Sequence, residues 1–285
     1  MPSVALLANS GSGSGGADDV AGLLRAVDAD VTEFEIGDWE SAARSGAERI
    51  VVAGGDGSIG CAAAAARTAG VPLGVVAVGT ANDFAAALEL PTEIEAACVL
   101  AATGEKLRSM ELGCAGGRPF VNVASIGLAP IAAEEAHGLK ERLGALAYPV
   151  GAVKAGATAE PVSCRVMCDG REVHEGEAWQ VSVSCTGAFG GGASMTADAG
   201  DGLLDLVVIE GSGRLSLAKH AYGMRIGTVE AQKGVIGVRC GEAELALPDG
   251  GCLNVDGELL DSEDLAENGV IRFEAERAAF DLVIG

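Results

Sequence analysis

Arg49-Ile50-Val51-Val52-Ala53-Gly54-Gly55-Asp56-Gly57-Ser58-Ile59-Gly60 is the stretch on which the reading of this chain turns. Its apolar start, Ile50 to Ala53, has no polar interruption, as expected of a strand buried on both faces of a parallel sheet. Gly54 to Ser58 reads as a turn, and the alanines of Cys61 to Arg67 then favour helix. Strand, glycine turn and helix start together aim backbone N–H groups and a positive dipole end at a phosphate. The glycines leave no Cβ in the anion's way. Asp56 is the odd member, because a carboxylate repels bound phosphate unless a cation lies between them. Its presence points to Mg2+ with a nucleoside polyphosphate. The other reading is a plain αβ turn in which Asp56 caps the following helix.

Working outward, strands and helices alternate. Ser3 to Ala8 reads as a first strand, followed by the Gly/Ser loop Asn9 to Gly16 and a helix with Val20, Leu23, Leu24 and Val27 at helical spacing. Val31 to Ile36 reads as the next strand, and Asp38 is placed to cap a helix reaching Glu48. Leu73 to Val78 delivers Gly79-Thr80-Ala81-Asn82-Asp83-Phe84 at another strand-to-helix junction. Thr92-x-x-Glu95 has the form of a capping box opening a helix from Ile94 to Ala102. Such alternation over about 100 residues predicts a doubly wound parallel sheet. Ligands bind such sheets at the carboxyl ends of strands, and three of those ends carry small polar loops: Asn9–Gly16, Gly54–Ser58 and Gly79–Asp83. Gly11-x-Gly13-x-x-Gly16 also satisfies a dinucleotide fingerprint, with Glu33 and Glu35 near its acidic position. A phosphate-cradling loop and a dinucleotide site both fit these residues.

The pattern changes after Lys106. Leu107 to Gly113 and Pro119 to Ile126 flank Gly116-Gly117 as a hairpin. A helical stretch from Ile131 to about Ala157 precedes a series of short strands with glycine-rich turns, from Val162 to Val255, with one helix, Leu215 to Ile226, among them. These predict a β-sandwich. The last two short strands, Val270 to Glu274 and Phe280 to Val283, are expected to return to the first domain. The expected organisation is an α/β nucleotide-binding domain over 1–112 plus about 270–285, and a β-sandwich substrate domain over 113–269. Two acidic groupings fall in the second part. Asp198, Asp201 and Asp205 enter a strand with spacing that can hold Mg2+ or Ca2+, or simply form an Asp-Gly turn. Asp256-Gly257-Glu258 can supply a general base and a nucleotide or metal contact, or be a solvated hairpin tip.

Composition narrows the partners. A net charge of −22, from 41 acidic against 19 basic residues, disfavours nucleic acid and anionic membrane surfaces. No secretory signal and no spanning helix is read in the 285 residues, so a soluble cytoplasmic protein is expected. The eight cysteines show neither C-x-x-C pairs nor zinc spacing and read as buried thiols, with Cys164 and Cys168 on one face of a strand. The chain contains no G-x-x-x-x-G-K-[ST] loop and no G-x-S-x-G elbow, and its three histidines lack ligand spacing.

Asn9-Ser10-Gly11-Ser12-Gly13, Gly54-Gly55-Asp56-Gly57-Ser58, Gly79-Thr80-Ala81-Asn82-Asp83-Phe84-Ala85, Gly190-Gly191-Gly192, Asp201-Gly202-Leu203-Leu204-Asp205 and Asp256-Gly257-Glu258 follow one another in that order. Together they resemble the bacterial diacylglycerol-kinase-type lipid kinases, a superfamily shared with sphingosine kinases. The resemblance implies an NAD-kinase-like α/β domain and a β-sandwich with ATP and Mg2+ in the cleft between them. It implies a nucleotide site at Asn9, Gly11, Gly54, Gly55, Asp56, Gly57, Ser58, Gly79, Thr80, Asn82 and Glu258. It makes Asp256 the general base on a lipid hydroxyl, with Asp56 and Glu258 beside the chemistry. Asp56 and Asp83 would join a water-linked network around the catalytic Mg2+, with Glu111 where close relatives carry Asp. Asp201, with backbone oxygens of Asp198 and Leu203, matches a second, structural Mg2+ site. Ser10, Ser58 and Glu111 depart from the family's usual Pro, Thr and Asp, and Met195-Thr196-Ala197 lacks the usual proline. The implied partner is a lipid alcohol, with transient contact at the inner membrane face allowed; a homodimer is compatible with the sequence. A kinase of a soluble substrate such as NAD, and a dinucleotide-binding dehydrogenase or nucleotide sensor built on Gly11 to Gly16, are the alternatives.

Overall fold

The structure is a computed structural model and describes residues 1–9, 17–79, 82–128, 160–185, 201–211 and 234–285. Gly11, Thr80, Gly190 to Gly192, Asp198 and the helices expected at Ile131–Ala157 and Leu215–Ile226 lie outside the described residues.

Two compact units divide the chain: Met1–Leu112 with Pro119–Val121 and Glu276–Gly285, and Gly113–Arg118 with Asn122–Ala275. In the first unit, β1 (Ser3–Ala8), β2 (Asp30–Glu35), β3 (Arg49–Gly54) and β4 (Leu73–Ala77) are parallel, in the order β4-β3-β1-β2. The end of β15 (Val270–Val283) lies beyond β4, Leu282 beside Leu73. The apolar runs split by alternation. Ala5, Leu7, Ile50, Val52, Leu73 and Val75 face one core, which includes the alanines Ala62 to Ala66. Val4, Leu6, Val51, Ala53 and Val76 face the other, with Val20, Leu24, Ala97 and Ala101. Both faces are therefore dry, which is why these strands read as continuous apolar runs.

The helices differ from expectation at their starts. α1 is Ala17–Ala26. α2 covers only Trp39–Ala43 after a 3-10 turn over Ile36–Asp38, and Asp38 makes no side-chain cap, so the helix expected to reach Glu48 is short. α3, Asp56–Ala69, begins six residues before the alanine run that starts at Ala62. Gly57 and Gly60, weak helix formers, sit inside it, and Gly60 is required by packing: a Cβ there would lie 2.6 Å from the Pro119 carbonyl oxygen. α4 is Asp83–Ala87, and α5, Ile94–Thr103, starts after Glu93. The Thr92–Glu95 capping box is not formed, because the N-cap position falls on Glu93, one residue past Thr92.

The second unit is antiparallel, ordered β14-β13-β7-β9-β8-β12-β15, with β10 joined to β9 and β11 to β10. Its strands are β7 (Val123–Gly127), β8 (Val162–Cys168), β9 (Arg171–Ser184), β10 (Leu204–Glu210), β11 (Val235–Cys240), β12 (Glu242–Ala246), β13 (Cys252–Val255) and β14 (Glu258–Asp261). Cys164 and Cys168 both lie on the buried face of β8. The hairpin at Gly116-Gly117 joins β5 (Leu107–Ala115) to β6 (Arg118–Phe120), and the strand expected over Pro119 to Ile126 is broken into β6 and β7. The two short C-terminal strands are one, β15, and the return to the first unit comes at Glu276 rather than near 270. Among the described residues no helix is long and apolar enough to cross a membrane.

Candidate active site

The first unit brings three strand ends together through register. Ala8 pairs with Ala53 and Gly54 with Ala77, so the ends of β1, β3 and β4 line one edge of the sheet, neighbouring strands being about 4.8 Å apart. Asn9 follows β1 there and is exposed. Gly55 is the N-cap of α3 without a side-chain cap, so Asp56 is not the capping residue. Its carboxylate turns instead to the neighbouring loop: Oδ1 accepts from the Phe84 N–H at 2.9 Å and Oδ2 from the Asp83 N–H at 3.2 Å. Asp56 thus fixes the third loop against the second.

The glycines serve this docking. A Cβ on Gly79 would lie 2.5 Å from Gly55 Cα and 2.7 Å from Asn82 Oδ1, and one on Gly54 would lie 2.7 Å from Ser58 Cβ and Oγ. At Gly79 backbone meets backbone, which leaves no room for a side chain. Gly57 and Ser58 occupy the first turn of α3. Asn82 is left-handed, at φ +54°; its Nδ2 donates to the Gly79 carbonyl at 3.0 Å, and its Oδ1 is buried without a hydrogen-bond partner. Burial, and then the charge of Asp56, push the Asp83 carboxyl above the usual carboxylate range. Two mutually repelling carboxylates beside an unsatisfied amide oxygen suit a hard cation.

Glu111 is buried on β5, only 4% exposed. Among the described residues no three Asp, Glu, His or Cys side chains gather into a metal cluster, so Asp56, Asp83 and Glu111 do not form a closed cage. Mg2+ does not ask for one: it commonly keeps water and takes one or two carboxylates plus substrate phosphate oxygens. The Asp56–Asp83 pair fits that habit.

In the second unit the turn Asp256-Gly257 joins β13 to β14, with both residues at positive φ, +48° and +90°, the two-residue hairpin for which Asp-Gly is suited. It is not a solvated tip. Asp256 is 6% exposed, and its Oδ1 accepts from the N–H groups of Asn122 at 3.0 Å and Val123 at 2.9 Å. Its own N–H donates to the Val123 carbonyl at 2.9 Å, while Asn254 Oδ1 takes the Gly257 N–H at 2.9 Å. The carboxylate is therefore held in one orientation. Glu258 pairs with Arg118, a residue that sequence reasoning missed. Its only signals were a cation in a base-poor chain and its place beside the Gly116-Gly117 turn.

The Asp201 region departs from a metal site. Asp201 Oδ1 accepts the Leu203 N–H at 3.0 Å, and Oδ2 is taken by Arg239 Nη2 at 2.6 Å. A carboxylate already committed to a guanidinium does not fit a structural Mg2+.

Comparison with known proteins agrees with this layout. The diacylglycerol kinase catalytic domain family matches residues 3–115, and the YegS C-terminal NAD kinase β-sandwich-like domain family matches residues 122–268. The protein named Probable lipid kinase YegS-like of Pseudomonas syringae pv. syringae (strain B728a) is 32% identical over 263 residues, 86% of this chain and 80% of its own. The diacylglycerol kinase of Bacillus subtilis (strain 168) is 29% identical over 234 residues, 78% of this chain and 76% of its own. A solved structure of a diacylglycerol kinase from Bacillus anthracis str. Sterne superposes with a TM-score of 0.74 at 21% identity, covering 100% of this chain and 97% of that one, and shares the fold. The kinase match includes 10–16, so a dehydrogenase reading of that glycine loop is not favoured. With both halves matched in order, the chain belongs to the diacylglycerol-kinase-type lipid kinase family.

Proposed function

We propose that the protein transfers the γ-phosphate of ATP to the hydroxyl of a diacylglycerol-like lipid alcohol, with Mg2+. The observation that carries this reading is the seated carboxylate of Asp256, buried and fixed by two backbone donors. A general base works only when its orientation is set before the proton moves. The carboxylate of Asp256, held in place through Oδ1, is the group that takes the proton. The acceptor's O–H bond breaks, its oxygen bonds to the γ-phosphorus, and the bond from that phosphorus to ADP breaks.

Asn9, Gly11, Gly54, Gly55, Gly57, Ser58, Gly79, Thr80 and Asn82 are proposed to hold the nucleotide. Their small side chains and loop N–H groups suit a polyphosphate, and phosphoryl transfer asks chiefly for alignment. Glu258 is proposed to lie near the nucleotide, oriented by Arg118. Mg2+, when bound, neutralises phosphate charge; Asp56 and Asp83 would hold it, with Glu111 in the surrounding water-linked network. Asp56 has a second task, keeping the Asp83 loop in register through the two N–H groups it accepts. The protein is proposed to be cytoplasmic; because its acidic charge disfavours anionic lipid surfaces, it would meet its lipid through apolar contacts or brief encounters at the inner membrane face.

The test is phosphate transfer from labelled ATP in mixed micelles, with diacylglycerol, isoprenoid alcohols and soluble NAD offered side by side. Label entering a lipid hydroxyl only with Mg2+ is the expected result. Label entering NAD alone, or none with ATP still bound, would overturn the lipid assignment.

A further inference from the structure

Arg239 of β11 stands opposite Asp205 of β10 in the antiparallel register. Its Nε donates to Asp205 Oδ1 at 2.9 Å, and its Nη2 reaches Asp201 Oδ2 at 2.6 Å, so one guanidinium spans both carboxylates. Asp205 is 1% exposed, whereas the Arg239 and Asp201 side chains are about a third exposed. Asp201 in turn fixes the strand entry through the Leu203 N–H. A buried carboxylate such as Asp205 needs a cation close by, and with Asp201 beside it the pair is what a divalent ion could satisfy. Here the planar fork of an arginine does so. A divalent ion placed on Asp201 would have to share the carboxylate with the guanidinium and sit beside its positive charge. Hydrogen bonding to Asp201 and the charges of both aspartates push the Arg239 pKa further up, so the fork does not lose its proton in ordinary buffers.

We infer that Arg239 is a built-in replacement for the structural divalent ion at the Asp201 loop, so that this chain binds no metal there. The strand entry at Asp201 and Leu203 is fixed by a covalently attached cation that no chelator removes and no metal shortage empties. The inference concerns Asp201, Asp205 and Arg239 alone and is independent of whether the protein phosphorylates a lipid.

The test counts Mn2+ bound to the nucleotide-free full chain by electron paramagnetic resonance, at about 1 mM free ion, near the weak end of protein affinities for hard divalent cations. Wild type and Asp201→Asn are expected to bind the same number of ions. Arg239→Met, which leaves two carboxylates without their cation, is expected to bind one more, and Arg239→Met/Asp201→Asn to lose it again. Arg239→Lys, which keeps a positive charge, is expected to match wild type. Loss of one ion in Asp201→Asn relative to wild type would overturn the inference. So would a folded Arg239→Met that gains none. If Arg239→Met does not fold, the comparison of wild type with Asp201→Asn still decides.

Discussion

Replacing Asp256 by Asn and by Ala separates its chemistry from its place in the fold. Asparagine keeps an oxygen for the Asn122 and Val123 N–H groups and tolerates the left-handed backbone at φ +48°. It exchanges two charge-assisted hydrogen bonds for neutral ones, a loss of about 1 kcal/mol each and about 2 in all. For a unit of this size that lowers the melting temperature by about 4–8 °C. It also removes the base, costing about 10²–10⁴-fold in kcat. Alanine leaves both partly buried N–H groups without their acceptor at about 1–3 kcal/mol each, and adds about 1 kcal/mol for a left-handed residue without local hydrogen bonds. The total of about 3–7 kcal/mol predicts a fall of about 6–28 °C. The assay is thermal melting of both variants beside lipid phosphorylation at a temperature where each is folded. Asp256→Asn retaining activity within a few-fold of wild type would refute the base. Equal melting of the two variants would refute the seat.

Gly79→Ala is expected to force the Gly55 and Gly79 loops apart, because its Cβ would meet Gly55 Cα at 2.5 Å. ATP affinity should fall by about tenfold or more and stability by about 1–3 kcal/mol, read by titration calorimetry and melting. Gly60→Ala pushes a methyl onto the Pro119 carbonyl and is expected to cost a similar amount of stability while leaving ATP affinity within a few-fold, because it lies away from the loop edge. The raised pKa of Asp83 means that the folded state holds this proton more tightly than the unfolded chain. Metal-free stability from this group is therefore full at low pH and is lost as pH rises through the folded pKa. Asp83→Asn without Mg2+ should then raise the melting temperature at neutral pH by about 1–2 °C, a small effect because solvent screens the pair, and the gain should vanish at pH below the ordinary carboxylate range.

The parallel strands were the most legible part of the chain. Ser3–Ala8 and Ile50 to Ala53 announce themselves because burial on both faces removes polar interruptions. The start of α3 was hidden, since Gly57 and Gly60 argue locally against helix while contact with Pro119 demands a residue without Cβ. Continuity of β15 was obscured by Arg277-Ala278-Ala279, where Ala278 takes a left-handed φ of +50° that breaks the alternation without ending the strand. At the candidate site, residue types and spacing singled out Asp56 and Asp256. What these carboxylates hold did not show, because their partners are supplied by distant backbone: Asp83 and Phe84 for one, Asn122 and Val123 for the other. Arg118 and Arg239 were missed for the same reason. An ion pair across a hairpin or ladder is set by register, and register is a property of two strands at once.

β15 has a consequence for how the protein is made. On the ribosome β1 to β4 emerge first, yet the neighbour of β4 is the end of β15, and the Phe280 and Leu282 side chains complete the first unit's core. Between them the whole second unit must be synthesised. Closing so long a loop is slow, and until it closes β4 offers an unpaired edge to any passing strand. The unit begun first is therefore finished last. A nascent chain of this protein is expected to spend its synthesis as a chaperone client, and a fragment ending near residue 112 to aggregate where the full chain does not.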